Sequence, residues 1–169
     1  LRGRDIHGEC VEHAIQSGAA VFSFEPAKDT AVDTARRAGI QLLTPEISDR
    51  EVHEALCAPL DPPADRPVLA VVGTSSSQGK FTLQLALRRR LLAAGYRVAQ
   101  VGTEHHSSLF GMDVTIPLGY GACVDAPLDL LPAFVDRQIR RVCAQRQPDI
   151  ILVGSQSATV PFDIHDPTH

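Results

Sequence analysis

A strand–loop–helix–strand unit between Pro67 and Gly102 constrains the fold of this chain more than any other feature. The apolar run PVLAVVG leads into a loop of small residues that ends at Gly79–Lys80, and a helical stretch and a second apolar run follow. Small residues let consecutive backbone N–H groups turn toward one anion, and the positive end of the helix adds to the attraction. A lysine at the end of such a loop reaches the terminal phosphates. The unit therefore predicts a phosphate-binding loop.

The loop departs in two places from the common pattern G-x-x-x-x-G-K-[ST]. Five residues separate Gly73 from Gly79, and Phe81 stands where Ser or Thr usually holds magnesium. Thr82 comes one position late, which makes it a candidate for the magnesium-holding hydroxyl. Lys80 is one of only two lysines in the chain, so its place directly after Gly79 favours phosphate binding over a solvated turn.

Composition limits the class of protein. The chain has 169 residues and a net charge of −4, which gives no reason to expect nucleic acid or a membrane as a partner. It contains no apolar run long enough to cross a membrane and no visible leader peptide. The four cysteines show no Cys-x-x-Cys spacing, so we predict reduced thiols packed as small apolar groups in a cytoplasmic protein: Cys10, Cys57, Cys123 and Cys143.

Helix and strand patterns alternate in the first part of the chain, which predicts a partial Rossmann-like domain over residues 1–60. No Gly-x-Gly-x-x-Gly fingerprint occurs, so dinucleotide binding is not supported. The proline-rich residues 58–67 mark the boundary between domains. The predicted elements are a helix over 6–16, a strand over 19–24, a helix over 29–38, a strand over 40–43, and a helix that opens with the capping box of Ser48 and Glu51 and runs to about Cys57.

Residues 61–169 are predicted to form a P-loop domain with a parallel sheet, so the whole chain belongs to the α/β class. Its few strands predict that the chain is truncated at both ends or is completed by another copy in a homo-oligomer. The predicted elements are strands over 68–72, 97–101 and 150–153, a helix over 80–94 with Leu83, Leu87, Leu91 and Ala94 on its apolar face, and a helix capped by Asp125 with Pro127 in its first turn.

Ligands of open α/β sheets bind beyond the carboxyl ends of the strands, where the loops 73–79, 102–112 and 154–161 should converge. Glu104 and His105 are candidates for contacting a substrate or moving a proton. The alternative is that His105 and His106 are solvated loop residues.

Asp125 is either a magnesium ligand or only a helix cap, and the strand IILVG ends without the acid that ATP-hydrolysing P-loop enzymes use for the metal.

The segment VVGTSSSQGKFT resembles the G-T-D-x-x-x-G-K-x-T loop of a two-domain family long described only as a domain of unknown function. That family combines a Rossmann-like N-terminal domain with a C-terminal P-loop domain and includes D-glutamate N-acetyltransferases. The loop is also similar to that of dethiobiotin synthetase, which has the same five-residue spacing. The resemblance implies phosphate binding by the matching residues Gly73, Thr74, Gly79, Lys80 and Thr82.

Outside the loop the resemblance is partial. Asp125 matches the family's Val-Asp-Ala segment, and Gln156 matches the glutamine of its Glu-Gly-Gln loop. Ser75 replaces the family's loop aspartate, and Gly154 stands where the family has glutamate. Residues 104–106 replace its Gly-Gln-Thr. These departures indicate a divergent subgroup, so the family's use of magnesium and its substrate are not carried over to this chain.

Three functions follow. The first is an enzyme that binds ATP and Mg²⁺ to activate a small carboxylate or amino-acid substrate, with Lys80, Glu104 and His105 as catalytic residues and Thr82 and Asp125 at the metal. The second, implied by the resemblance, is an N-acyltransferase that uses acetyl-CoA to modify an amino acid such as D-glutamate. The third is a non-catalytic nucleotide-sensing module. The predicted cofactor-binding residues are Gly73, Thr74, Ser75, Ser76, Ser77, Gln78, Gly79, Lys80, Phe81, Thr82 and Gln156.

Overall fold

The computed structural model describes residues 5–118, 123–127 and 129–158, and it confirms the α/β class. The chain divides into two compact units, Leu1–Glu46 (unit 1) and Ile47–His169 (unit 2). Each unit contains a parallel sheet. Within the described residues, every helix is too short or too polar to span a lipid bilayer.

Unit 1 is a small α/β arrangement whose elements match the predicted order. Its two strands pair in parallel, with Val21 opposite Leu42. The Asp5 carboxylate caps the first helix by accepting a hydrogen bond of 2.9 Å from the Gly8 N–H, and Gly39 ends the second helix at a φ of 67°. The elements are α1 (Ile6–Gln16), β1 (Val21–Phe22), α2 (Asp29–Ala38) and β2 (Leu42–Leu43).

Unit 2 contains a four-stranded sheet in which every neighbouring pair of strands is parallel. The elements are α3 (Asp49–Cys57), β3 (Val68–Gly73), α4 (Lys80–Ala93), β4 (Val98–Gly102), a 3₁₀ segment (His105–Phe110), β5 (Val114–Thr115), α5 (Leu131–Arg146) and β6 (Ile150–Ala158). The order across the sheet is β3-β6-β4-β5, so β6 lies between β3, which leads into the loop, and β4, which follows α4.

Helix α3 belongs to unit 2 because its side chains enter the core of the four-stranded sheet. Val52 is fully buried in the cluster that also contains Val101, Ile116 and Phe134. The predicted capping box at its start is confirmed, since the Ser48 hydroxyl and the Glu51 side chain bond each other's backbone N–H groups. The chain boundary between the two compact units, at 46/47, therefore lies 14 residues before the predicted domain boundary at 60/61. That 60/61 separates two independently folding domains stays a prediction.

Two predicted features of the second half are wrong. Helix α5 starts at Leu131 and has no side-chain cap, whereas Asp125 is an exposed residue whose N–H donates to the Ile47 carbonyl over 2.9 Å. Strand β6 continues to Ala158, so the predicted loop 154–161 begins as a strand, and residues 159–161 lie outside the described residues.

The predicted apolar face of α4 is wrong in part. Leu87 and Leu91 are half-buried, but Leu83 is 51% exposed and Ala94 is exposed, whereas Gln84 is only 1% exposed. The reason is that Gln84 points at the sheet and hydrogen bonds to it, which places Leu83 on the solvent side of the helix. The buried face of α4 therefore includes a polar residue that the leucine repeat does not predict.

One ion pair joins the beginnings of β4 and β6. The Asp149 carboxylate accepts hydrogen bonds from the Arg97 guanidinium over 2.8 Å and from the Arg97 backbone N–H over 2.7 Å. The side-chain hydrogen bond from Arg97, followed by the backbone bond, lowers the pKa of Asp149 from 3.8 to about 2. A lowered pKa in the folded state means that the ionised carboxylate stabilises the fold above the unfolded-state pKa and stops doing so as the pH falls.

We therefore expect the free energy of unfolding of the Asp149→Asn variant to be lower than that of the unmodified chain near neutral pH. The difference should shrink as the pH falls from about 4 to about 2. Urea unfolding of both proteins across this pH range measures it. A difference that stays constant throughout the range would contradict the assigned pKa.

Candidate functional site

The loop between β3 and α4 turns sharply at Ser77 and Gly79 and leaves no room for a side chain at Gly73. Ser77 and Gly79 have positive φ angles of 58° and 80°, which turn the chain into the first turn of α4. At Gly73, an added Cβ atom would lie 3.1 Å from Cδ of Lys80 and 3.3 Å from Oε1 of Gln78. The absence of a side chain at Gly73 therefore lets the lysine and the glutamine fold over the end of the strand.

Lys80 and Gln78 hold the loop closed on itself. The Lys80 ammonium donates to the Ser75 carbonyl over 2.9 Å, and Gln78 Oε1 accepts from the Thr74 N–H over 3.1 Å and from its hydroxyl over 3.0 Å. No side chain caps the N-terminus of α4, where Gly79 is the N-cap. The loop thus presents an ammonium group, backbone N–H groups and a helix N-terminus at one place, which suits an anion.

The Phe81 ring packs against two rings of the 3₁₀ segment. Its ring meets the ring of His106 at a centroid distance of 4.5 Å and the ring of Phe110 at 5.2 Å, both edge to face. We call these three residues the aromatic cluster. It joins the first turn of α4 to the 3₁₀ segment, so Phe81 serves packing in this structure.

Arg88 makes a second link between α4 and the 3₁₀ segment. Its guanidinium donates to the carbonyls of Phe110 over 2.7 Å and of Gly111 over 3.1 Å. A cation at the carboxyl end of a helical segment is favourable, and the planar arginine fork suits two adjacent carbonyls. No sequence signal distinguished Arg88 from the neighbouring arginines, because its partners are 22 and 23 residues away along the chain.

The two histidines that follow β4 are not solvated, so that alternative is wrong. His105 is 5% exposed, and His106 is half-buried in the aromatic cluster. Glu104 is half-buried, and its carbonyl accepts from the Ser107 N–H over 3.0 Å. The catalytic roles of Glu104 and His105 stay predictions.

Gln84 connects the P-loop helix to the sheet. Its Nε2 donates to the carbonyl of Val101 on β4 over 3.0 Å and to that of Leu152 on β6 over 3.4 Å. The backbone carbonyl of Gln84 accepts a hydrogen bond from Nε2 of Gln100 over 3.4 Å. Sequence analysis missed this residue, although a glutamine within a leucine-rich helix, one turn after the loop lysine, is a signal that could have found it.

The end of β6 is brought to the loop by an irregularity in the sheet. Val71 pairs with Gly154, but Gly73 pairs with Ala158, so β6 bulges between them. Within the bulge, the Gln156 amide donates to the Thr103 hydroxyl over 3.4 Å. Gln156 therefore lies at the same end of the sheet as the loop, although its contact with a cofactor stays a prediction.

The magnesium roles predicted for Thr82 and Asp125 stay predictions, and the surroundings of the two residues do not favour them. Among residues 5–118, 123–127 and 129–158, no three His, Cys, Asp or Glu side chains come together in a way that could hold a metal ion. Thr82 and Asp125 are both exposed, and the position directly after the loop lysine is taken by Phe81. The residues present therefore do not fit the magnesium site of a P-loop NTPase, which needs a hydroxyl at that position and an acid at a strand end.

The cysteines are all free, as predicted, but only two of them are packed as apolar groups. Cys123 and Cys143 are buried, whereas Cys10 and Cys57 are exposed. None of the four is part of the loop region described above.

A parallel sheet whose strand β3 leads through a Gly–Lys loop into a helix defines a P-loop domain. Residues 58–165 match the family model described as "Domain of unknown function (DUF1611_C) P-loop domain". The chain belongs to the DUF1611 family, which confirms the family resemblance. Its two-domain arrangement and the link to D-glutamate N-acetyltransferases stay predictions.

A solved structure supports the fold. The chain is similar to a DUF1611 family protein from Anabaena variabilis ATCC 29413, whose crystal structure was determined at 2.30 Å resolution, with a TM-score of 0.62 and 16% sequence identity. The similarity covers 96% of this chain and 46% of that protein, so the chain spans about half the length of its structural relative. No curated protein matches the chain.

Proposed function

We propose that the chain binds the phosphate groups of a nucleotide-containing cofactor at residues 73–82, with Lys80 as the principal cation. The bond between the Lys80 ammonium and the Ser75 carbonyl carries the proposal, because it holds the charge over the loop at the start of α4. A phosphate oxygen is a stronger acceptor for an ammonium group than a neutral carbonyl. The cofactor would replace this internal bond and would gain the backbone donors of the loop and the helix.

Two reactions are compatible with such a site. In the first, ATP activates a small carboxylate, and the loop stabilises charge on the transferred phosphoryl group. In the second, acetyl-CoA acylates an amino group. Phe81 and Gly154 favour the second reaction, because they occupy the two positions from which a P-loop NTPase organises its metal, and binding of CoA phosphates requires none.

The acyl transfer needs a general base, and a carboxylate follows β4. The amine nitrogen of the substrate would attack the thioester carbonyl, the carbon–sulfur bond would break, and the CoA thiolate would leave. Glu104, half-buried at the start of the 3₁₀ segment, would accept the proton lost by the amine and pass it to the thiolate. The identity of the amine, the homo-oligomer and the cytoplasmic location stay predictions.

Calorimetric titration of the full chain with acetyl-CoA and with ATP tests the proposal. We expect at least one ligand to bind, and ligand at about 100 times its dissociation constant should stabilise the fold by about 2.7 kcal/mol. Acetyl-CoA binding followed by acylation of an amino acid supports the transferase, and ATP turnover supports the carboxylate-activating enzyme. Binding without turnover of any substrate supports the nucleotide-sensing module, and binding of neither ligand contradicts the proposal.

A further inference from the structure

We infer that the loop binds its phosphate ligand without a divalent metal ion, which sets it apart from the ATP- and GTP-hydrolysing members of the P-loop class. This inference rests on the proposed function, because it concerns the same loop. It is carried by Phe81, which stands where a metal-binding hydroxyl is usual, and by Gln84, which leaves no room for an acid at position 154.

The first side chain stands directly after the loop lysine. P-loop NTPases use a serine or threonine there, whose hydroxyl binds Mg²⁺. Phe81 has no oxygen, and its ring is turned into the aromatic cluster, within 4.5 Å of the His106 ring and 5.2 Å of the Phe110 ring. Thr82, the next residue, projects about 100° further around the helix and is exposed. A hydroxyl is therefore missing from the position that contacts the ion.

The second side chain lies against β6, the strand that pairs with β3. Gly154 pairs with Val71 of β3 at the last regular position before the bulge in β6, and it stands where the resembling family carries a glutamate, an acid that could organise a metal. A Cβ atom at this position would lie only 2.8 Å from Oε1 of Gln84, so even an alanine forces the glutamine to move. An aspartate or glutamate at this position would be larger still.

Moving the Gln84 side chain would lower the stability of the fold. It is 1% exposed, and its amide nitrogen serves the carbonyls of Val101 and Leu152, which lie on different strands. Displacing this amide would leave its buried N–H groups without an acceptor, which costs about 1–3 kcal/mol. The glycine and the glutamine are therefore complementary, and they place a neutral amide where the NTPases carry a negative charge.

The end of β6 also offers no anionic ligand for a metal ion. Residues 154–156 are Gly, Ser and Gln, so no carboxylate there could hold a magnesium ion beside the ligand's phosphates. The ligand phosphates would instead be neutralised by Lys80 and by the backbone N–H groups of the loop and of α4.

The test compares the affinity for ATP and for CoA in buffer with Mg²⁺ and in buffer with EDTA, at equal ionic strength. For the ligand whose binding is weakened in Lys80→Ala, we expect the two dissociation constants to agree within about threefold, a difference of less than about 0.7 kcal/mol. An affinity at least tenfold weaker in EDTA overturns the inference and leaves the proposed function standing. Binding of neither ligand under either condition overturns both.

A designed pair of variants tests the cause. Gln84→Ala together with Gly154→Asp makes room for a carboxylate and supplies it, and Gln84→Ala alone is the matched control without the acid. We expect the double variant to bind ATP at least tenfold more tightly with Mg²⁺ than with EDTA, whereas the control should show no such preference. A preference in the control, or none in the double variant, contradicts the role assigned to these two residues; the comparison on the unmodified chain does not depend on either variant folding.

Discussion

Replacing Lys80 with alanine is expected to weaken the binding of the phosphate ligand by about tenfold to a hundredfold, because hydrogen bonds to charged groups contribute about 1.5–3 kcal/mol. The free energy of unfolding should change little. Among the described residues, the ammonium group donates to the Ser75 carbonyl in an exposed loop, and Lys80 as a whole is half-buried. Titration calorimetry and urea unfolding of the variant measure the two quantities separately.

The chain offers a matched control for this experiment. Lys28 is the only other lysine, and it lies in unit 1, where it forms an ion pair with Asp5. Lys28→Ala removes the same charge from the protein without touching the loop, so the affinity should stay that of the unmodified chain. Equal losses in the two variants would mean that net charge, rather than the loop, attracts the ligand, and unchanged affinity in Lys80→Ala would remove Lys80 from the site.

Replacing Gly102 with alanine is expected to lower the free energy of unfolding by about 2–3 kcal/mol, near the upper end of the usual cost of overpacking a core. Gly102 ends β4 and is buried beneath the 3₁₀ segment. An added Cβ atom would overlap the Cβ and the hydroxyl of Ser107 and the sulfur of Met112. Ser107 is itself fully buried, so it cannot swing into solvent to make room.

A second substitution distinguishes a steric cause from a loss of backbone flexibility. In Gly102→Ala with Ser107→Gly, the Ser107 atoms that overlap the new Cβ are gone while the Met112 sulfur remains, and we expect part of the lost stability to return. The midpoints of urea unfolding for the two single variants and the double variant form a cycle that isolates the interaction. Strictly additive losses would contradict direct overlap between residues 102 and 107.

The elements that could be predicted from the sequence are those whose ends carry their own local signals. Helix α2 stops at a left-handed glycine, and α3 starts at a capping box, so both ends depend on residues a few positions apart. The phosphate loop was predictable for the same reason, since the strand, the small residues and Lys80 follow one another directly. These signals survive folding because tertiary contacts do not compete with them.

The features that could not be predicted depend on contacts between distant parts of the chain. The buried face of α4 contains Gln84 because its amide donates to carbonyls of strands β4 and β6, up to 68 residues away. The length of β6 follows from its pairing with β3, which no local pattern records. The aromatic cluster also brings together residues from α4 and from the 3₁₀ segment, so the chemical surroundings of the loop were less predictable than the loop itself.

The close fit of Gly154 against Gln84 also restricts the order in which substitutions can accumulate at this site. An acid at position 154 collides with the glutamine while the glutamine is present, and loss of the glutamine first removes its hydrogen bonds to the carbonyls of Val101 and Leu152 and empties a buried volume. Each single step passes through a less stable protein, so the effect of one substitution depends on whether the other has already occurred. A lineage that carries this glycine–glutamine pair is therefore separated from an acid-bearing site by a stability barrier, even though only two residues differ.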